Sequence, residues 1–99
     1  MNEEKISELV RIELREVLRV KIETITPEAR LFGDLGAESI DVLDLRFRLE
    51  WTFGINISDS EIVDSLGNDL SIDELDRQFT VRSIVWFIEQ KLRETVGAL

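Results

Sequence analysis

Apolar residues recur at helical spacing in three separate stretches of this 99-residue chain, and two-residue alternation is confined to the short Gly54-Ile55-Asn56-Ile57. A chain patterned this way buries its apolar surface by packing helix on helix. In the first stretch, from Glu3 to about Val20, Ile6, Leu9, Val10, Leu14, Val17 and Leu18 make one stripe, and Glu3 and Glu4 stand at the end where the helix dipole favours negative charge. The second stretch runs from Ser39 to about Phe53, with Gly54 as its stop. The third begins after Thr80, a candidate cap, and turns Ile84, Val85, Ile88 and Leu92 inward, with Phe79 and Ile84 as its hydrophobic staple. Between the second and third, Ser58 with Glu61 and Ser71 with Glu74 read as capping boxes of short helices. The first of these would end near Leu66 with Gly67 behind it, and Leu70 and Leu75 would staple the second. The expected architecture is an all-α bundle of three longer helices and one or two short ones in residues 59–79, folded as a single domain over 1–99.

Residues 21–38 have no periodicity, hold the lone Pro27, and are punctuated by Gly33 and Gly36. An irregular connection of that length in a compact domain is more often functional than idle. The helix it leads into carries two apolar stripes. Val42, Leu45, Leu49 and Phe53 should face the core, while Ile40, Leu43 and Phe47 lie on an adjacent face flanked by Asp44 and Glu50. That second stripe is either a docking surface with an acidic rim or one edge of a wide buried arc.

Composition removes several classes of function. The chain has no cysteine and no histidine, which excludes a disulfide scaffold, a thiolate nucleophile, a Cys/His zinc site and histidine-based acid or base catalysis. No nucleophile and base pair remains beyond serine with carboxylate or lysine, so an enzyme is not expected. A net charge of −9 disfavours nucleic acid and anionic membrane surfaces. Residues 31–76 alone hold twelve acidic side chains against Arg46 and Arg48, so a partner with a basic patch would be steered there. No apolar leader or membrane-spanning run is visible, and a cytoplasmic monomer is expected.

Ser39 is the candidate reactive position. A serine before a helix is ordinarily a cap, but Ser39 has no Glu or Gln three residues on to complete a capping box. A phosphate ester there would meet free N–H groups and the positive end of the dipole, with Gly36 leaving room for its approach.

The run Asp34-Leu35-Gly36-Ala37-Glu38-Ser39-Ile40-Asp41 resembles the modification site of acyl carrier proteins, whose pattern is Leu-Gly-x-Asp-Ser-Leu-Asp. Ile25-Thr26-Pro27, Phe53 to Ile57 and Thr80 to Leu92 resemble that family's first loop, second-helix exit and last helix. The resemblance implies a four-helix bundle in which a phosphopantetheinyl transferase attaches 4′-phosphopantetheine from coenzyme A to Ser39. It implies a non-catalytic carrier, with the acyl group held as a thioester and presented to enzymes of fatty-acid, lipid or polyketide-type synthesis. Ile40, Leu43 and Phe47 would be contacted by those enzymes, Asp41, Asp44 and Glu50 would face their basic patches, and Leu35, Val42, Leu45, Leu49, Phe53, Ile84 and Ile88 would line the core that receives the chain.

The sequence departs from the family pattern in three places. Glu38-Ser39-Ile40 replaces Asp-Ser-Leu, Arg46 and Arg48 add positive charge to the second helix, and residues 59–79 are longer than the norm by roughly a dozen residues, enough for an additional short helix. These point to a specialised carrier with its own partners. An aminoacyl or peptidyl carrier of the same fold, and an unmodified acidic adaptor, are the alternatives. Asp64-Ser65-Leu66 repeats the family tripeptide literally, but Gly67-Asn68-Asp69 ends a helix there. An EF-hand begun at Asp64 fails because Leu66 and Leu75 fall on ligand positions. Trp51 and Trp86 lie off the best stripes and are expected to pack on the core or on the 59–79 segment.

Overall fold

A computed structural model describes residues 2–61 and 71–97. The all-α expectation holds: α1 (Glu3–Leu18), α2 (Ser39–Phe53), α3 (Ile72–Gln78) and α4 (Val81–Gly97) are joined by irregular segments, with a 3-10 turn at Ile22–Thr24. The core takes Ile6, Val10 and Leu14 from α1, Leu45, Leu49 and Phe53 from α2, and Val81, Ile84, Val85 and Ile88 from the start and middle of α4. Leu9, Val17, Leu18, Val42 and Leu92 are half-buried at its margin. α1 packs against both α2 and α4 and so holds the bundle together.

Polar contacts account for the helix ends. Asn2 Oδ1 accepts from the Lys5 N–H at 2.9 Å and starts α1. Arg19 closes that helix in the left-handed conformation, φ 56°, with its N–H on the Arg15 carbonyl, so α1 stops slightly before Val20. The Ser58 and Glu61 box forms: Ser58 Oγ accepts from the Glu61 N–H at 3.1 Å, and Glu61 Oε1 accepts from the Ser58 N–H at 3.2 Å. The remainder of that short helix, the Leu70 staple and Asp64-Ser65-Leu66 lie outside the described residues. Ser71 Oγ caps α3 through the Glu74 N–H at 3.2 Å. At the start of α4 the exchange is between Thr80 and Ser83, each hydroxyl accepting from the other's N–H at 3.2 and 3.0 Å, a short-armed form of the capping box.

The connection before α2 is a structural wall of the bundle. Ile25, Ala29, Leu31, Leu35 and Ala37 are all buried. Their backbone is satisfied from two sides. The Arg11 guanidinium on α1 donates to the Ile22 and Ile25 carbonyls, both at 2.9 Å. At the α3–α4 junction, the Leu31 N–H meets the Phe79 carbonyl at 3.0 Å and the Val81 N–H meets the Ala29 carbonyl at 3.1 Å. This single antiparallel bridge, Arg30 with Thr80, is the only β pairing among the described residues. Among the described residues, Gly54 to Ile57 pairs with no strand. Ile55 and Ile57 are buried and Asn56 exposed, as alternation requires, but Glu50 satisfies the segment, its carbonyl taking the Ile55 N–H at 3.2 Å and its Oε2 the Ile57 N–H at 2.8 Å.

Candidate functional site

The segment leading to Ser39 is anchored by charge. Arg30 binds the Asp34 carboxylate through both its backbone N–H, at 2.8 Å, and its guanidinium, at 3.2 Å. The same guanidinium reaches Asp76 on α3 at 3.0 Å, and Asp76 also accepts from the Gly33 N–H at 2.9 Å. A Cβ on residue 33 would sit 2.8 Å from Asp76 Oδ2 and 2.9 Å from Arg30 Cζ, so a side chain there would have to push both charged groups aside. Hydrogen bonds from Arg30 hold the Asp34 carboxyl below the usual aspartate range, and Asp34 in turn raises Arg30.

Beyond this clamp, Leu35 and Ala37 turn inward and the residues between and after them turn out. Gly36 adopts φ 71° with nothing within 4 Å of where a Cβ would stand, which keeps the approach to the helix end clear. Ser39 is the first helical residue, where the spacing starts the helix, and the N-cap is Glu38, so the serine does not serve as a plain cap. Asp41 reaches back to the Glu38 N–H at 2.8 Å and performs the capping task three residues on. The Asp41 and Val42 N–H groups bond to the Glu38 carbonyl, which leaves those of Ser39 and Ile40 without a partner among the described residues. Ser39 is exposed and its hydroxyl makes no hydrogen bond there. The result is an unencumbered hydroxyl over free N–H donors at the positive end of a 15-residue helix, which suits a covalently attached phosphate.

Along α2 the second apolar stripe is open to solvent. Ile40 is 70% exposed, Leu43 48% and Phe47 56%, which excludes the wide buried arc. Trp51 extends the stripe by one more turn at 90% exposed, and Trp86 on α4 is 60% exposed. Core packing is therefore overturned for Trp51, whose ring stands on an outward helix face, while Trp86, though largely exposed, borders the apolar space between α2 and α4. The acidic flank is partly engaged at home. Asp44 lies 3.7 Å from Arg48, and Glu50 holds the Ile57 N–H. The two unusual arginines are also partnered. Arg48 meets Glu13 at 3.4 Å, and Arg46 pairs with Asp59 and stacks over the Phe47 ring at 5.7 Å.

Between α2 and α4 lies a cavity of about 110 Å³. Of the residues expected to receive a chain, Val42, Leu45, Leu49 and Ile84 line it. Leu35, Phe53 and Ile88 are in the core without being part of its wall. Ile57, Phe79, Trp86 and Phe87 complete the apolar lining, and no periodicity in the sequence marks them as such.

Two comparisons converge on this arrangement. A family model described as the phosphopantetheine attachment site matches residues 8–68, which include Arg30, Gly33 and Asp34 of the clamp, Ser39 and all of α2. The acyl carrier protein of Thermotoga maritima is 35% identical over 89 residues, 90% of this chain and 94% of that protein. No helix among the described residues is long and apolar enough to cross a membrane. A free helix N-terminus beside an exposed serine, in a chain alike to a carrier along nearly its whole length, leaves one family: the chain belongs to the acyl carrier proteins, non-catalytic carriers whose cofactor is 4′-phosphopantetheine.

Proposed function

We propose that Ser39 is the residue that bears the 4′-phosphopantetheine, and that the exposed stripe of α2 is where the transferase and the acyl-handling enzymes dock. The observation that carries this is the α2 N-terminus, with an exposed, unbonded serine hydroxyl and the free N–H groups of Ser39 and Ile40. Loading forms a bond from Ser39 Oγ to the phosphorus that carries the pantetheine as the phosphoanhydride bond of coenzyme A breaks, with adenosine 3′,5′-bisphosphate as the leaving group and the serine proton released. When attached, the arm supplies the thiol that holds the acyl group as a thioester. The chain's own residues do the rest. Ile40, Leu43 and Phe47 offer apolar contact, Asp41, Asp44 and Glu50 give the rim its negative potential, and the acidic middle of the chain steers encounter with basic partners. An apolar cavity favours a hydrocarbon cargo of fatty-acid, lipid or polyketide type over an aminoacyl group, whose ammonium would lose its hydration there.

The test is intact mass after incubation with coenzyme A, magnesium and a permissive phosphopantetheinyl transferase. Wild-type protein gains one phosphopantetheine and Ser39→Ala gains none. The variant unfolds at the same temperature as wild type, because Glu38 and Asp41 cap α2 without the serine. A gain on Ser39→Ala would move the modification to another residue. No gain on folded wild-type protein with several transferases would favour an unmodified adaptor.

A further inference from the structure

α3 contributes no buried side chain, and Ile72 at its start is 85% exposed, so its own residues do not anchor it in the core. Among the described residues, the side-chain hydrogen bonds that leave α3 are those of Asp76. One carboxylate oxygen takes the Gly33 N–H at 2.9 Å and the other takes Arg30 Nη1 at 3.0 Å. Asp76 is also the least exposed of the three charges in the clamp. The residues it grips belong to a turn that is bonded to itself almost as far as the serine. The Arg30 carbonyl takes the Asp34 and Leu35 N–H groups, both at 3.0 Å, the Phe32 carbonyl takes that of Gly36 at 3.2 Å, and the Leu31 carbonyl takes that of Ala37 at 2.8 Å. Ala37 stands two residues before Ser39. Burial of Leu31, Leu35 and Ala37 fixes the inner side of this turn, while Asp76 and Arg30 fix its outer side.

Resting on the carrier function proposed above, we infer that Asp76 is a positioning residue for loading: by gripping residues 30 and 33 it holds the turn 30–37 still, so that the Ser39 hydroxyl is presented at one angle to the phosphorus it attacks. Displacement at phosphorus runs in line, and a misplacement of about 1 Å can cost on the order of a hundredfold in rate. Asp76 acts through Arg30 and Gly33 and supplies no group to the chemistry. The inference gives α3 a task that its lack of buried side chains leaves open, which is to carry the outer brace of the serine's turn.

The test measures loading by one permissive phosphopantetheinyl transferase with coenzyme A and magnesium, over a range of carrier concentrations and well below the unfolding midpoint of each variant. Asp76→Ala, which removes both bonds, is expected to lower kcat about tenfold while KM changes by less than about twofold, the pattern of a group misaligned in the transition state. Gly33→Ala keeps every charge but pushes Asp76 and Arg30 aside, and is expected to lower kcat in the same way. It decides the matter should Asp76→Ala fail to fold. Asp73→Asn, which removes an exposed charge of α3 outside the clamp, is expected to load at the wild-type rate. In the apo protein, amide exchange at Ala37 is expected to quicken about threefold in Asp76→Ala, with α1 unchanged, because the turn opens locally. An unchanged kcat in both clamp variants would overturn the inference, as would unaltered exchange at Ala37. A rise in KM alone would also overturn it, by making the clamp a contact of the transferase, and an equal loss in Asp73→Asn would do so by making charge the cause. Wild-type protein that no transferase loads would remove the carrier function itself, whereas a loaded wild type with unaffected clamp variants removes the inference alone.

Discussion

α1 and α2 are nearly equal in length, 16 and 15 residues, and both are rich in apolar side chains, yet they dispose of them differently. α1 gathers its apolar residues into one stripe, with Ile6, Val10 and Leu14 buried and Leu9, Val17 and Leu18 at the edges. α2 spreads them over two faces, and Ile40, Leu43, Phe47 and Trp51 are left in solvent. The difference follows from neighbours. α1 packs against both α2 and α4, while α2 faces α4 across the cavity. A helix at that position can bury only the arc that meets a partner, so the second stripe is surplus to folding and available for recognition.

Substitutions on matching stripes break or sharpen this contrast. Leu14→Ala, in the fully buried stripe of α1, is expected to lose roughly 3 kcal/mol in denaturant unfolding, the range for a leucine truncated in a close-packed core. Phe47→Ala removes a larger side chain from α2, yet stability should change by only about 0.5 kcal/mol, because the ring is more than half exposed. Its effect belongs to docking: acyl transfer from a partner enzyme should slow about tenfold at subsaturating carrier, the size of an interface contact that matters. Equal stability losses at the two sites would show that the α2 stripe is covered in solution.

Asp44→Lys tests the charge beside that stripe, and several-fold slower transfer is expected at low salt, shrinking as salt screens the encounter. Asp44 is the cleaner site than Glu50, whose carboxylate also holds the Ile57 N–H. The smallest effect concerns the loop clamp. Asp34 is held below its usual value of 3.8 by Arg30, so its contribution is present above that pH and is lost as pH falls through the lower folded value. The stability difference between wild type and Asp34→Asn should therefore be level at neutral pH and shrink on acidification below about 4, as read by unfolding midpoints across the acid range.

Helix positions were legible from spacing because a stripe at i, i+3 and i+7 is local information. The exit of α2 at Gly54 and the starts at Ser58, Ser71 and Thr80 came from capping chemistry that acts within four residues. The α2 entrance at Ser39 is legible from the spacing, but its cap is not. Glu38 caps with help from Asp41, a pair that stands three apart like a capping box but lacks a serine or threonine in the first place. The loop core was missed for a different reason. Ile25, Ala29, Leu31 and Ala37 follow no period, and the groups that satisfy their backbone, Arg11 and the Phe79–Val81 junction, come from helices on either side. Arg46 at the cavity wall has no sequence signal at all, since an arginine on α2 reads as surface charge until α4 is set opposite it.

From the sequence alone come the all-α class, the serine at the head of α2, the family motif around it and the acidic middle of the chain, because each depends on residue type and short-range spacing. Tertiary structure decided which of the two α2 stripes is buried, that the long connection is a wall of the core, that Trp51 faces outward while Trp86 borders the cavity, and where the cavity opens. Those outcomes depend on which surfaces meet across the bundle, and a helix with two apolar faces cannot specify its neighbour by its own periodicity.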